Sequence, residues 1–377
     1  MGMCESENKQ SDITNEKIIQ KQNELKTICL QLKLNPSQIF SCKFLEIIIK
    51  HSETQDGFIS NEIREILYQY LFNVKIINKT TKFEYCTLVI DEEKKLKYFH
   101  NFINWKISNL DTLNSNNLSI INDPDTIKKD IPRGIIDINS IQNNFSYKNN
   151  LEKSTFSKFT FFSTKTFNYN YYQGCLFIYF YFLHLYKDNT LIGISCLQKY
   201  FELFLKDFLL NNTDEQIGSI IPIINDLIKI ISPKVSNTFE KYNIFPNRSI
   251  ELILTSFIKE DSFANYQENK FRVLDFLICH KPYYSFLLSA FYFVLITENI
   301  TFDESSDDDM SDLLIEGLQN CSMNKDDYET IILRTVDFDK NNFNEIKNVL
   351  NKYQDVFKYM FHKDNNGLIS YLNNKNI

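Results

Sequence analysis

Two short segments of this 377-residue chain carry side chains suited to phosphoryl transfer. The first, Ile127–Arg133, reads I-x-x-D-x-x-R, with Asp130 one helical turn before Arg133. The second, Tyr171–Gly174, reads Y-x-Q-G and places Gln173 forty positions after the arginine. A guanidinium offers phosphate oxygens a permanent positive charge and a planar fork of donors, and a glutamine amide can orient an attacking water molecule. Arg133 and Gln173 are therefore the candidate catalytic pair, and the Asp130 carboxylate could hold the guanidinium in place.

The residues around this pair predict how the chain presents it. Pro132 disfavours helix at the residue before it, and Gly134 loosens the chain beyond, so Arg133 is expected in an exposed break after a helix. Gln173 stands at the start of a predicted helix over 174–186, whose apolar run is too short to span a bilayer and is expected in the core. The N–H groups at that helix start would add positive potential beside a phosphate.

Each motif also has an ordinary structural interpretation. A lone D-x-x-R is most often a surface ion pair, and a glutamine at a helix start is usually a solvated cap. Arg272 and Asp275, one turn apart, are expected to form a structural ion pair that supports the site. Tyr171 is expected to pack so that it orients Gln173, and Arg64 is either structural or part of a partner-facing surface.

Composition is typical of a soluble globular protein, with 43% hydrophobic and 24% charged residues. The net charge of −7 argues against nucleic acid as the main partner, because phosphate contacts need clustered lysine and arginine. The eight cysteines follow no zinc-binding spacing and suggest buried free thiols in a reducing compartment. The motifs H-E-x-x-H, G-x-S-x-G and the P-loop are missing, so we expect neither a metal or serine hydrolase nor tight nucleotide binding by this chain alone.

Apolar residues recur at helical spacing without a persuasive strand pattern, so the fold class is predicted to be all-α. Predicted helices in the second half cover 174–186, 190–209, 215–231, 247–259, 270–279 and 283–297, with turns between them that include Ser232–Pro233. Five parts are expected in order: a polar tail over 1–24, N-terminal helices over 25–56, a main domain over 57–297, an acidic linker over 298–312 and C-terminal helices over 313–377.

The N-terminus matches a lipidation pattern. Met1–Ser6 reads M-G-x-x-x-S, which predicts myristoylation of Gly2, and Cys4 lies close enough for palmitoylation. Two acyl chains give stable membrane anchoring, whereas one chain binds only marginally. The alternative is chance, because a pattern with three fixed positions arises occasionally by accident.

Several blocks, in order, resemble the TBC family, the GTPase-activating proteins of Rab GTPases. Besides the two motifs above, GFISNEIREILYQYLFNV resembles the family's opening block, with Arg64 in place, and KFRVLDFLICHKP resembles its R-x-x-D segment, with Arg272 and Asp275. The resemblance covers roughly residues 57 to 297. Two departures are Gly134, where serine or threonine is usual, and the missing tryptophan of the opening block. The blocks are most similar to the branch that contains TBC domain family member 20 and its yeast relatives.

The resemblance implies a two-lobed helical domain that binds a Rab-family GTPase in its GTP form and accelerates hydrolysis of that GTP. Arg133 and Gln173 would be its two catalytic fingers, making the chain an activator rather than an enzyme with a substrate of its own. GTP and Mg²⁺ would arrive with the Rab, so no cofactor or metal site is expected here. The branch named above acts in ER-to-Golgi vesicle traffic, which implies a cytoplasmic protein on the cytosolic face of the ER, Golgi or another endomembrane.

Two other functions stay open from the sequence. One is a catalytically inactive TBC protein that binds a Rab as a scaffold or effector, although such a protein would need neither finger. The other is a general helical adaptor that recruits partners through its acidic linker, which accounts for the composition but for neither motif.

Overall fold

The computed structural model describes residues 2–35, 42–72, 74–77, 82–85, 176–186, 190–209, 214–257, 267–300, 307–320, 325–357 and 360. The helices are α1 Gly2–Leu34, α2 Cys42–Glu53, α3 Asn61–Leu71, α4 Leu176–Leu185, α5 Thr190–Tyr200, α6 Asp214–Ile231, α7 Pro233–Lys241, α8 Arg248–Leu254, α9 Gln267–Cys279, α10 Tyr284–Asn299, α11 Asp307–Asn320 and α12 Lys325–Asn351. After α5 the chain continues through a π-helical turn, Phe201–Leu205, into a last α-helical turn, Lys206–Leu209. The predicted all-α class is confirmed.

The described residues also include one short strand pair, which the sequence pattern did not predict. Strands β1 Val74–Ile77 and β2 Lys82–Tyr85 run antiparallel, with Val74 opposite Tyr85. With only four residues in each strand, the alternation of apolar and polar residues is too short to distinguish from a loop.

Helix α10 lies at the centre of the core. Nearly all its residues are buried, and helices α6, α8, α11 and α12 pack around it. Because a helix that is apolar on every side must be covered on every side, the C-terminal helices are part of this core. The ring of Phe291 contacts Phe338 of α12 at a centroid distance of 5.6 Å, and that of Phe286 contacts Phe357, beyond α12, at 5.4 Å.

The apolar segment before residue 186 forms the core helix that the sequence predicted. Helix α4 packs against α5 and α3, and Ile178, Phe182 and Leu185 are at most 2% exposed. In the part of the chain that the structure describes, no helix combines the length and the apolar character needed to cross a membrane.

A helix that the sequence analysis missed begins where it placed only a turn. The Ser232 side chain caps α7 by accepting a hydrogen bond from the Val235 N–H at 3.4 Å, and Pro233 is the first helical residue. Serine at the N-cap is a helix-start signal because its side chain accepts an N–H of the first turn that has no helical partner. Proline is favourable at N1 because the N–H that it lacks would have no helical partner there. The sequence pattern alone predicts only a turn between helices at this dipeptide.

Two polar segments of the chain are helical in the structure. The N-terminal segment, expected to be a polar tail to residue 24, is helical from Gly2, and α1 reaches the core through Leu25, Ile28 and Leu32. The acidic linker expected over 298–312 is helical from Asp307, where α11 begins. Acidic residues are favourable in a first helical turn because they complement the helix dipole.

Candidate functional site

A tight loop between α2 and α3 forms the centre of a buried polar cluster. Its residues Asp56, Gly57 and Ile59 have positive φ angles of 65°, 51° and 68°. A Cβ atom at Gly57 would lie 2.5 Å from Oδ2 of Asp275, a separation that real Cβ atoms do not tolerate. The loop therefore needs glycine at position 57, both for its left-handed backbone and for this close approach to α9.

The Asp275 carboxylate binds the second half of the loop and forms an ion pair with Arg64. It is 0% exposed and accepts hydrogen bonds from Nε of Arg64 at 3.0 Å, from the Tyr68 hydroxyl at 2.6 Å and from the Phe58 N–H at 2.9 Å. Nη2 of Arg64 lies 3.0 Å from Oδ2 and completes the fork. Burial, reinforced by this carboxylate, raises the pKa of Tyr68 well above its usual value, so the hydroxyl remains a donor.

A second carboxylate, Glu329 of α12, binds the first half of the loop. It receives Nε and Nη2 of Arg272 at 2.8 Å each and also accepts from the Asp56 N–H at 3.0 Å. Nη1 of Arg272 donates to the Ser52 carbonyl at 2.6 Å, at the end of α2. The ion pair expected between Arg272 and Asp275 is thus replaced by two pairs to other helices. Residues three apart on a helix suggest a local ion pair. Here both side chains instead point into the buried polar cluster around the α2–α3 loop, called the junction below, and pair with residues from distant segments.

Lys21 of α1 donates hydrogen bonds to the same junction. Nζ of Lys21 donates to the carbonyl oxygens of Gln55 at 2.6 Å and His51 at 3.2 Å, and to the Thr54 hydroxyl at 2.9 Å. The His51 carbonyl belongs to the last turn of α2, where carbonyls have no partner further along the helix. Burial, together with the nearby charge of Arg272, lowers the pKa of Lys21 to about 8.

Two histidines of the junction face carboxylates. Nε2 of His280 lies 3.0 Å from Glu53, while its Nδ1 lies 2.7 Å from the Phe276 carbonyl. Nε2 of His51 lies 3.2 Å from Glu24 of α1. Burial lowers the pKa of His51, and the Glu24 carboxylate only partly offsets that effect.

Aromatic contacts connect this junction to α4, the helix that follows the Y-x-Q-G motif. The Arg64 guanidinium lies 5.1 Å from the centroid of the Phe271 ring, which in turn meets Tyr181 edge-on at 4.7 Å. In addition, the Tyr186 hydroxyl donates to the Glu65 carbonyl of α3 at 2.9 Å. The middle of α4 is therefore held against α9 by packed rings, and the residue after its end is held against α3 by a hydrogen bond.

The four residues of the two sequence motifs lie outside the described residues: Asp130, Arg133, Tyr171 and Gln173. The backbones of Gly2 and Cys4 belong to α1, while the Cys4 side chain lies outside the described part of the structure. Of the two interpretations left open for Arg64, the structure favours the structural one, because the residue is only 2% exposed.

The described cysteines fit the prediction of buried free thiols. Cys29, Cys196 and Cys279 are buried and unbridged, whereas Cys175 lies outside the described residues. Burial raises the pKa of Cys29 to about 11 and that of Cys196 to about 12. Thiols held in the protonated form at neutral pH are poor nucleophiles.

The junction as a whole is suited to holding structure rather than to reacting. Its buried arginines and carboxylates lie within 3.1 Å of opposite charges, and Asp275 and Glu329 additionally accept backbone amides of the loop. Sequence reasoning missed Lys21 and Glu329, since each lies on a helix that carries no recognisable motif. The Asp-Gly pair at 56–57 was the available signal, because it favours a tight turn with positive φ angles.

Comparison with known proteins identifies a large part of the chain. Residues 61–300 match the sequence model of one family, described as the Rab-GTPase-TBC domain. A search of curated proteins found no match to the chain. The matched region contains both sequence motifs as well as Arg64, Arg272 and Asp275, and it ends before Glu329.

Proposed function

The chain belongs to the Rab-GTPase-TBC domain family, and from this premise we propose that it activates GTP hydrolysis by a Rab-family small GTPase. The observation that carries the proposal is the presence of I-x-x-D-x-x-R and Y-x-Q within the matched residues 61–300. A protein that only binds a Rab would need neither the arginine nor the glutamine.

Arg133 supplies the charge that the reaction needs. Hydrolysis builds negative charge on the oxygens around the β–γ bridge, and a guanidinium delivered by a second protein stabilises it. Such an arginine finger is worth about 10³–10⁵ in rate. Asp130, one turn earlier, orients the guanidinium, while GTP and its Mg²⁺ come with the Rab and this chain contributes no cofactor.

In this proposal Gln173 orients the attacking water, and we expect Tyr171 to orient the glutamine. It precedes α4 by three residues, which span at most about 11 Å of extended chain. Since α4 is buried, packs against α3 and α5, and meets α9 through the Tyr181 and Phe271 rings, the glutamine is tethered to a rigid part of the domain. A well-placed donor of this kind avoids the loss of rate that follows from small errors in position.

The proposal includes a membrane. Gly2 and Cys4 lie in a lipidation pattern, and acylation would hold the domain on the cytosolic face of an endomembrane, where Rab GTPases in their GTP form reside. The likeness to the branch of TBC domain family member 20 suggests ER-to-Golgi vesicle traffic as the setting.

The test is single-turnover GTP hydrolysis by a panel of Rab GTPases in the presence of the wild-type protein, Arg133→Ala or Gln173→Ala. Acceleration of at least one Rab should fall about a hundredfold or more in each variant. Arg334→Ala is the matched control, because Arg334 lies on α12, outside the matched region, and its side chain is 36% exposed. GTP-dependent Rab binding without acceleration would refute the catalytic proposal in favour of a scaffold.

A further inference from the structure

We infer that Glu329 of α12 is a positioning residue for the GTPase-activating site, although it lies beyond the region that the family match covers. This inference rests on the proposed function. It means that α12 contributes to activity through the α2–α3 loop and α9, without itself meeting the Rab nucleotide.

Glu329 joins three segments of the chain at one carboxylate. Both of its oxygens receive the Arg272 fork from α9, and Oε1 also accepts the Asp56 N–H of the loop. Arg272 passes the connection on to the end of α2 through the Ser52 carbonyl. The carboxylate is nearly buried, with 11% of its side chain exposed, so water cannot fully replace these bonds.

The loop that Glu329 holds cannot relax without moving α3. Glu329 accepts the amide of residue 56 and Asp275 accepts the amide of residue 58, on either side of Gly57. Asp275 also binds Arg64 and Tyr68 of α3. If one of the two carboxylates released its amide, the left-handed turn would lose one of the two side-chain contacts that fix its backbone amides ahead of α3.

From α3 and α9 the connection continues to the helix that follows Gln173. Phe271 precedes Arg272 in α9. Its ring contacts both the Arg64 guanidinium and the Tyr181 ring of α4. A shift of α9 would therefore be transmitted to α4 through packed rings, which have little room to absorb it. Displacements of about 1 Å at a catalytic group can cost about a hundredfold in rate.

The experiment compares the full-length wild-type protein with Glu329→Gln and Glu329→Asp. Glutamine keeps the volume and one acceptor for Asp56 but loses the charge, whereas aspartate keeps the charge and retreats from the loop amide. Glu345→Gln is the matched control, because Glu345 is an exposed glutamate of α12 beyond the kink at Asn342. All four proteins are assayed below the temperature at which any of them begins to unfold.

Two readouts are needed, one of which does not depend on activity. Hydrogen exchange should show faster exchange of the amides of Asp56 and Phe58 in both Glu329 variants and unchanged exchange in Glu345→Gln. With the Rab that responds to wild type, the saturating hydrolysis rate should fall about tenfold or more. The Rab concentration at half-saturation should stay within about threefold, since the variants leave the binding surface in place.

The outcomes separate this inference from the proposed function. Wild-type rates in both Glu329 variants would overturn the inference and leave the proposed function standing. The same would follow if the amides of Asp56 and Phe58 exchanged as slowly in both variants as in the wild-type protein. A fall in rate no larger than the fall in the folded fraction, measured by circular dichroism, would also overturn it, because loss of folded protein lowers the apparent maximal rate without changing half-saturation. No acceleration of any Rab by the wild-type protein would overturn the proposed function, and the inference with it.

Discussion

Replacing Asp275 with asparagine should destabilise the protein far more than the loss of one surface charge would. Arg64 is 2% exposed, and in Asp275→Asn its guanidinium would stay buried and lose the negative charge that Asp275 supplies at 3.0 Å. The new side-chain amide could still accept from Phe58 or Tyr68, but its NH₂ group would face one of the donors that now surround the carboxylate. Removing one partner of a buried ion pair costs about 3–5 kcal/mol.

The expected shift in melting temperature follows from the size of the chain. Unfolding entropy is about 2.1 cal/mol/K per residue, which gives roughly 0.8 kcal/mol/K for 377 residues if the chain unfolds as one unit. A loss of about 3–5 kcal/mol then lowers Tm by about 4–6 °C. Circular dichroism at 222 nm during heating measures this directly for a helical protein.

Asp226→Asn is the matched control for this measurement. Asp226 also pairs with a cation, Lys352 at 2.9 Å, but the two side chains are 31% and 59% exposed. Such a pair is worth about 0–1 kcal/mol, so Tm should fall by no more than about 1 °C. An Asp275→Asn protein that melts within 1 °C of wild type would refute the reasoning, because it would mean that Arg64 reaches water or another anion.

Two further predictions concern pH and the N-terminus. Burial lowers the pKa of His51 in the folded protein below the unfolded value of about 6.5. Below about pH 6.5 the unfolded chain therefore binds a proton that the folded chain does not. The free energy of unfolding then decreases as the pH falls through the folded pKa. His51→Gln should therefore flatten the loss of Tm between pH 7.5 and pH 5; an identical slope in both proteins would contradict this. If Gly2 is myristoylated, Gly2→Ala should move the protein from the membrane to the soluble fraction of a cell lysate, whereas membrane retention equal to wild type would rule out this anchor.

The parts of the fold that the sequence predicted are those that local patterns encode. The apolar run that forms α4 needed only its length and composition, and the all-α class followed from helical periodicity. The start of α7 was also encoded locally, by Ser232 and Pro233, but a serine-proline pair marks both turns and helix starts. Choosing between them requires the apolar spacing of the residues that follow, Val235 and Phe239.

The partners in the buried junction could not be predicted in the same way. Arg272 and Asp275 were recognised as supporting residues, but Arg64 is 211 positions from Asp275, and Asp56 is 273 positions from Glu329. Nothing in one sequence indicates which of the 48 acidic residues meets a given arginine. Such pairings depend on how helices cross, and the crossing is fixed by the packing of the whole core rather than by any short segment.

The composition of the junction suggests why it is charged at all. Apolar residues of the same volume would often stabilise a protein as well as a buried ion pair does, so net stability does not explain two of them side by side. Apolar packing, however, cannot bind the unpaired amides of a left-handed turn, whereas a carboxylate can accept an amide and a guanidinium together. Asp275 and Glu329 each do both, at residues 58 and 56 of one loop. The arginines then neutralise the carboxylates that the loop requires. In this way Glu329, which lies beyond the matched residues 61–300, helps to fix the position of Arg272 within them.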